Sequence, residues 1–302
     1  MRPQKEWKSY EEQLRILKQR GLLIKYENKA LSYLKTIGYY RLSGYLYPFR
    51  KPSEVGQRAD DFIENSYFED AKALYMFDKK LRQLALDGLE RIEVTLRCNI
   101  AYRLGKYDAI AHTKDKYFDP DFDHKKWLNR YYCLVDRQSK TDFVNHHKKY
   151  YGELPIWACT EVWDFGSMSI LFKGMKTEDK DAIASLYGIK SGKSLGTQLH
   201  ALNFIRNVSA HYSRLWNKKV IGRASLKGFN DPTLRALPNN SVFTYFCVIQ
   251  YLIKQICPNS TWKNRFIDTL DRFPQVQNNA VNLKQFGLDK EIVDINSWNL
   301  WT

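Results

Sequence analysis

Residues 78–103 read DKKLRQLALDGLERIEVTLRCNIAYR, and the spacing of their apolar side chains decides the fold class. Leu81, Leu84, Leu89, Ile92, Leu96 and Ile100 recur at mixed intervals of three and four, which places them on one side of a long amphipathic α-helix. Glu90, Glu93 and Arg97 form a polar stripe on another side, with Glu93 and Arg97 spaced for an i,i+4 ion pair. A single helix of this kind buries its apolar stripe only against other helices, and the rest of the chain supplies them.

On the N-terminal side, Ser9-Tyr10-Glu11-Glu12 is a capping box, so a short helix is expected from there to Gly21. A second helical stretch, NKALSYLKTIG, ends at Gly38. It runs into the aromatic segment 39–49, YYRLSGYLYPF, whose last helix Pro48 should close. Residues 51–67 carry turn chemistry with little periodicity and read as a connecting loop, marking a first boundary between a 1–67 N-terminal helical subdomain and a 68–302 helical domain. On the C-terminal side, residues 105–154 mix Lys, His, Tyr and Asp without a clean period and read as a helical insertion.

Pro155-Ile156-Trp157 opens another helix, which breaks near Gly166 and resumes from Met168 to Met175. LHALNFIRNVSAHYSRLWNKKV is expected to be one helix with Ala201, Ile205, Val208, Tyr212 and Leu215 on its apolar face, and VFTYFCVIQYLIKQI closes the helical series. Trp298 and Trp301 are expected to pack the C-terminal tail onto the core. No βαβ alternation, glycine-rich phosphate loop or internal repeat is present, so the fold class is all-α.

The 302-residue chain carries 48 Lys and Arg against 33 Asp and Glu, a net charge of +15. That excess attracts polyanions and speeds their capture, which puts nucleic acid first among partners. The five cysteines form no CxxC pair and have no His at ligand spacing, so a reducing compartment is expected and neither metal nor cofactor is. No signal-peptide pattern and no membrane-spanning apolar run is present, which points to the cytoplasm.

The chemistry concentrates at 200–217. On an ideal helix His200, Asn203, Asn207, His211 and Arg214 fall within roughly 80° of arc, opposite the apolar face. His and Asn are poor helix formers, so helix stability alone does not select them. Arg206 lies about 140° round from His211, and the two tips meet only through the length of the Arg side chain, a helix end or a partner molecule. Metal-free RNA cleavage needs a base, an acid and a cation at the phosphate; imidazole and guanidinium meet those needs. One chain supplies one such His, whereas two chains about a two-fold axis supply two. The plain alternative is a hydrogen-bonded Asn207–His211 pair inside a polar core. Elsewhere, KKWLNRYY and HHKKYYG set Lys125, Lys126, Arg130, Lys148 and Lys149 beside aromatic rings, an arrangement suited to single-stranded RNA and equally to a solvated helical surface.

Arg206-Asn207-Val208-Ser209-Ala210-His211 has the Arg-x4-His form of the HEPN superfamily, and the surrounding chain resembles the abortive infection family, the AbiD/AbiF-like phage-resistance proteins. The similarity extends in order through SYEEQLRILKQRGL, IGYYRLSGYLYPFR (37–50), FDKKLRQLALDGLERIEVTLR (77–97), PIWACTEVWDFGSMS (155–169) and IRNVSAHYSRLWN (205–217). The resemblance implies a HEPN-like helical bundle, a homodimer with a composite RNA-cleaving cleft, and growth arrest of the infected host by an endoribonuclease toxin. It further implies that a small structured RNA can act as inhibitor. Arg206, His211 and Asn207 match the motif; Glu90 and Glu93 match a tendency toward an acidic residue on an earlier helix and would orient Arg206 or His211. Arg97, Asn203 and Arg214 stand beside these as supporting residues. The alternative is a non-catalytic RNA-binding regulator that acts by sequestration. A DNA-binding repressor using the helices from Ser9 to Gly38 fits less well, because the 39–49 aromatics suit packing.

Overall fold

The structure is a computed structural model describing residues 4, 6–53, 58–222 and 224–302. Thirteen α-helices and one small hairpin order along the described chain as α1 (Tyr10–Gln19), α2 (Glu27–Thr36), α3 (Tyr39–Leu46), β1 (Arg50–Pro52), β2 (Arg58–Phe62), α4 (Phe68–Gly105), α5 (His124–Arg137) and α6 (Asp142–Tyr151). They continue as α7 (Ile156–Cys159), α8 (Phe165–Gly174), α9 (Thr177–Ser185), α10 (Gly192–Ala210), α11 (Pro232–Ala236), α12 (Val242–Ile256) and α13 (Trp262–Asp271). The fold is all-α.

The expected capping box forms at Ser9, whose hydroxyl accepts from the Glu12 amide while the Glu12 carboxylate accepts from the Ser9 amide. The 39–49 aromatics divide by face: Tyr45, Leu42, Leu46 and Phe49 enter the core, and Tyr40 is exposed. The segment expected as an irregular loop contains the antiparallel β1–β2 hairpin, while residues 54–57 of that expectation lie outside the described residues.

Helix α4 begins ten residues before the expected start. Phe68, Ala71, Leu74 and Leu81 continue its buried face, but Asp78 and Arg82 sit on that same face and hide the apolar period. All six apolar residues that defined the helix in the sequence are buried. Around α4 pack α3, α10, α12 and α13, and a single apolar core extends from Leu14 to Trp301.

Helix α4 closes tightly on α12 and α13 at Gly88, where an added Cβ would lie 2.6 Å from Ile249 Cγ2 and 3.0 Å from Trp262 Nε1. Trp298 and Trp301 are buried; Trp298 Nε1 donates to Asp231 Oδ2 at 2.8 Å, and Trp301 stacks on Phe266 with centroids 4.8 Å apart. Among the described residues no helix is long and apolar enough to cross a membrane.

Candidate functional site

Helix α10 starts at the Ser191 cap, whose hydroxyl accepts from the Ser194 amide, and packs against α4, α8 and α9. It ends at Ala210, five residues sooner than its apolar pattern implies. His211 is the C-terminal cap, with its amide donating to the Asn207 carbonyl at 3.0 Å, and Tyr212 takes a left-handed backbone conformation, φ +56°. Such a φ stops a helix, since a side chain there crowds the next carbonyl. Tyr212 is accordingly exposed and not on an apolar face, while Leu215 reaches the core from beyond the helix. Val208 packs on the core from within α10.

His211 and Asn207 are exposed and Arg206 is half-buried. Arg206 Nη1 donates to Asn207 Oδ1 at 3.4 Å. No side-chain hydrogen bond joins Asn207 to His211, or Arg206 to His211, among the described residues, so the three do not form a closed polar core. The helix end places the exposed imidazole on the terminal turn, one turn beyond Asn207, and no contact between the tips of Arg206 and His211 occurs among the described residues.

What fixes this turn lies behind it. Leu215 and Trp216 donate their amides to Asp78 Oδ1 at 3.0 and 2.6 Å, Tyr45 donates its hydroxyl to Asp78 Oδ2 at 2.5 Å, and Arg82 pairs with the same oxygen. Arg82 also reaches the Ser213 carbonyl at 3.4 Å. Burial pushes the Asp78 carboxyl up against the opposing pull of Arg82; burial, then the carboxylate of Asp78, push the Tyr45 phenol up, so it remains a donor. Arg214, expected on the helix edge, instead donates to the Gly44 carbonyl of α3. The chain after His211 is thereby clamped to α3 and α4. The sequence signal for this clamp was present: Asp78 and Arg82, at i,i+4, share the face of Leu74, Leu81 and Ala85.

Glu93 and Arg97 form the expected ion pair, but Arg97 Nη2 also donates to the Trp163 carbonyl, and no hydrogen bond runs from Glu90 or Glu93 to Arg206 or His211 among the described residues. The Glu93–Arg97 pair instead holds the turn that precedes α8. The break in that region falls at Trp163–Asp164 and not at Gly166, because Asp164 caps α8 by accepting from the Ser167 amide at 2.6 Å. Arg130 closes the same turn with bonds to Asp164 Oδ2 (2.8 Å) and Ser167 Oγ (2.7 Å). Burial works to raise the Asp164 carboxyl, but the Ser167 amide and the Arg130 guanidinium outweigh it and hold it below the usual range. A Cβ at Gly166 would stand 3.5 Å from Asn203 Nδ2 and 3.5 Å from Arg130, so this turn adjoins the middle of α10.

Of the insertion's basic residues, Lys126 and Arg130 line a common cavity. Arg130 is committed to Asp164, Lys148 pairs with Asp136 at 3.0 Å, and Lys149 lies over its neighbour Tyr150. Lys125 and Lys126 are exposed. Trp127 and Tyr131, which alternate with these cations in the sequence, are buried and stacked on each other at 5.6 Å. Tyr150 and Tyr151 stay exposed.

Beneath the insertion His112 is fully buried with no hydrogen-bond partner on either ring nitrogen among the described residues; burial, then the neighbouring His124, push it down to about 3. No group of three or more His, Cys, Asp or Glu able to hold a metal ion occurs among the described residues, and the five cysteines are unpaired.

Comparison with known proteins finds a family model described as Abi-like protein that matches residues 32–217, a span running from α2 to the clamp behind His211. No curated protein and no solved structure matches the chain.

Proposed function

We propose, from the premise that the chain belongs to the Abi-like protein family, that it acts in abortive infection by cutting RNA without a metal at the C-terminal end of α10. The carrying observation is the solvent-open His211, which caps α10 one turn from the Arg206–Asn207 pair and is followed by a segment clamped to α3 and α4. An imidazole exchanges protons near neutral pH, and a guanidinium offers a fork that fits phosphate oxygens.

In the reaction, the ribose 2′-oxygen attacks the adjacent phosphorus and the bond from phosphorus to the 5′-oxygen breaks. A 2′,3′-cyclic phosphate and a 5′-hydroxyl result. One imidazole accepts the 2′-hydroxyl proton, and a second gives a proton to the departing oxygen. Arg206 holds the charge that develops on the phosphate, and Asn207 orients Arg206. Because each chain carries a single His211, the full pair of proton transfers calls for two copies of the chain with their α10 ends facing across a two-fold axis.

The test is expression of wild type, Arg206→Ala and His211→Ala, scored for growth arrest and for total-RNA integrity in lysates treated with EDTA. Discrete fragments ending in 2′,3′-cyclic phosphate from the wild type alone are the expected outcome. Intact RNA from all three proteins, each binding RNA tightly, would overturn cleavage in favour of sequestration.

A further inference from the structure

The exposed side of α10 does not end at the candidate site. Lys193, Thr197, His200, Asn207 and His211 are all exposed, with Gly196 and Asn203 half-buried between them. At 100° per residue these seven positions stay within roughly 120° of arc, so they form one stripe about 27 Å long from Lys193 to His211. The whole helix, GKSLGTQLHALNFIRNVSA, contains no Asp or Glu. In a chain with 33 acidic residues, the absence of a carboxylate from one solvent-facing stripe of this length sets that surface apart.

At the far end of the stripe a cavity of about 860 Å³ opens between α8, α9 and α10, lined by Lys173, Lys180, Lys193, Thr197 and His200. Asp181 is the carboxylate in its lining, and its Oδ1 is already occupied by the Gly192 amide at 2.7 Å. Lys180 Nζ donates to the Lys173 carbonyl, which fixes that ammonium at the rim. Gly192 and Gly222 in its lining are covered by Lys180 and by the His200 ring, which holds those two side chains in place. An adjoining cavity of about 610 Å³ shares Ile170 and Lys173 but adds Asp119, Asp121 and Asp123 beside Lys126 and Arg130. Three carboxylates balance the cations there, so a polyanion is favoured along α10 and into the first cavity and is not favoured in the second.

We infer that the acid-free stripe of α10, with the lysine-rimmed cavity at its start, is a track for single-stranded RNA that holds phosphates remote from the scissile one. This inference rests on the RNA-cleaving reading of His211 and names the form of its substrate: a strand that engages the protein over several nucleotides. Phosphates pair with Lys193, Lys173 and Lys180 along the stripe and at the cavity rim.

The test uses the full chain carrying His211→Ala, so that RNA is not cut, and a fluorescent 20-nucleotide oligouridine. Lys173→Glu/Lys193→Glu is compared with Lys29→Glu/Lys290→Glu, which changes net charge equally at exposed positions on α2 and in the C-terminal segment. Lys193 is the second residue of α10, where a Glu suits the helix N-terminus, and Lys173 lies in the last turn of α8, where a Glu does not, so the two effects offset and the track variant should hold the parent's thermal stability while losing affinity. A merely structural role for Lys193 would not produce that separation.

With about 0.7 of log–log salt slope per phosphate contact, loss of two contacts flattens the slope by about 1.4 and weakens binding about 25-fold at 0.1 M salt relative to 1 M. If the track variant and the control weaken alike with unchanged slope, the track is refuted while RNA binding stands. If the parent itself does not bind the oligouridine, the RNA reading of His211 falls and the track with it.

Discussion

Replacing Asp78 with Ala should be among the most damaging single changes in the protein, and the damage should be partly repaired by removing its partner. The carboxylate is fully buried and serves the Arg82 guanidinium, the Tyr45 hydroxyl and the amides of Leu215 and Trp216. Removing one member of a buried pair leaves the other charge uncompensated at a cost of about 3–5 kcal/mol. Each buried amide deprived of its acceptor adds about 1–3 kcal/mol, although these effects couple and do not simply add. A loss of about 4–6 kcal/mol is expected, a large part of a total stability of about 5–15 kcal/mol.

Asp78→Leu/Arg82→Met removes both charges and should lie about 2–3 kcal/mol above the single variant, with the amides and the Tyr45 hydroxyl left unsatisfied. Asp78→Asn keeps an oxygen for the two amides but leaves Arg82 uncompensated, so it should fall between Asp78→Ala and the double variant. Urea unfolding followed by tryptophan fluorescence measures the ranking, with the buried Trp216 beside the network. A cost below about 1 kcal/mol for Asp78→Ala, or a double variant no better than the single, would refute the account of the clamp.

His112 gives the protein a pH-dependent stability of definite sign. Its folded value is pushed down to about 3 from 6.5, so the unfolded chain binds the extra proton first: the contribution is complete above pH 6.5 and is lost as pH falls toward 3. At pH 5 the loss is about 2 kcal/mol, and His112→Met should abolish that part of the difference between urea midpoints at pH 7 and pH 5. Gly88→Ala should destabilise by about 1–3 kcal/mol despite alanine's better helix propensity, because its methyl meets Ile249 and Trp262; a raised thermal midpoint would contradict the packing described. At Tyr212, with φ +56°, Gly should be tolerated, whereas Val should cost about 1 kcal/mol more than Gly, measured by the same unfolding curves.

The period of three and four that runs from Leu81 to Ile100 determined by itself that this is a helical protein, because only a helix brings those side chains to one face. The Ser9 capping box and the Glu93–Arg97 pair were equally local facts, readable because caps and i,i+4 contacts depend on neighbours along the chain. Where α10 stops was not local. Its apolar spacing continues through Tyr212 and Leu215, and only the pull of Asp78 on the Leu215 and Trp216 amides, from 137 and 138 residues away, turns the chain at His211.

The same buried charges disguised the first ten residues of α4, since a sequence pattern counts Asp and Arg as solvent-facing until a partner is known. In the insertion, alternation of Lys with Trp and Tyr could not say which rings were core; stacking of Trp127 on Tyr131 decided that. Motif letters named Arg206, Asn207 and His211. Their exposure on a terminal helical turn, and the acid-free stripe that leads away from them, depend on which faces of α10 its neighbours α4, α8 and α9 cover, and long-range packing alone fixes that.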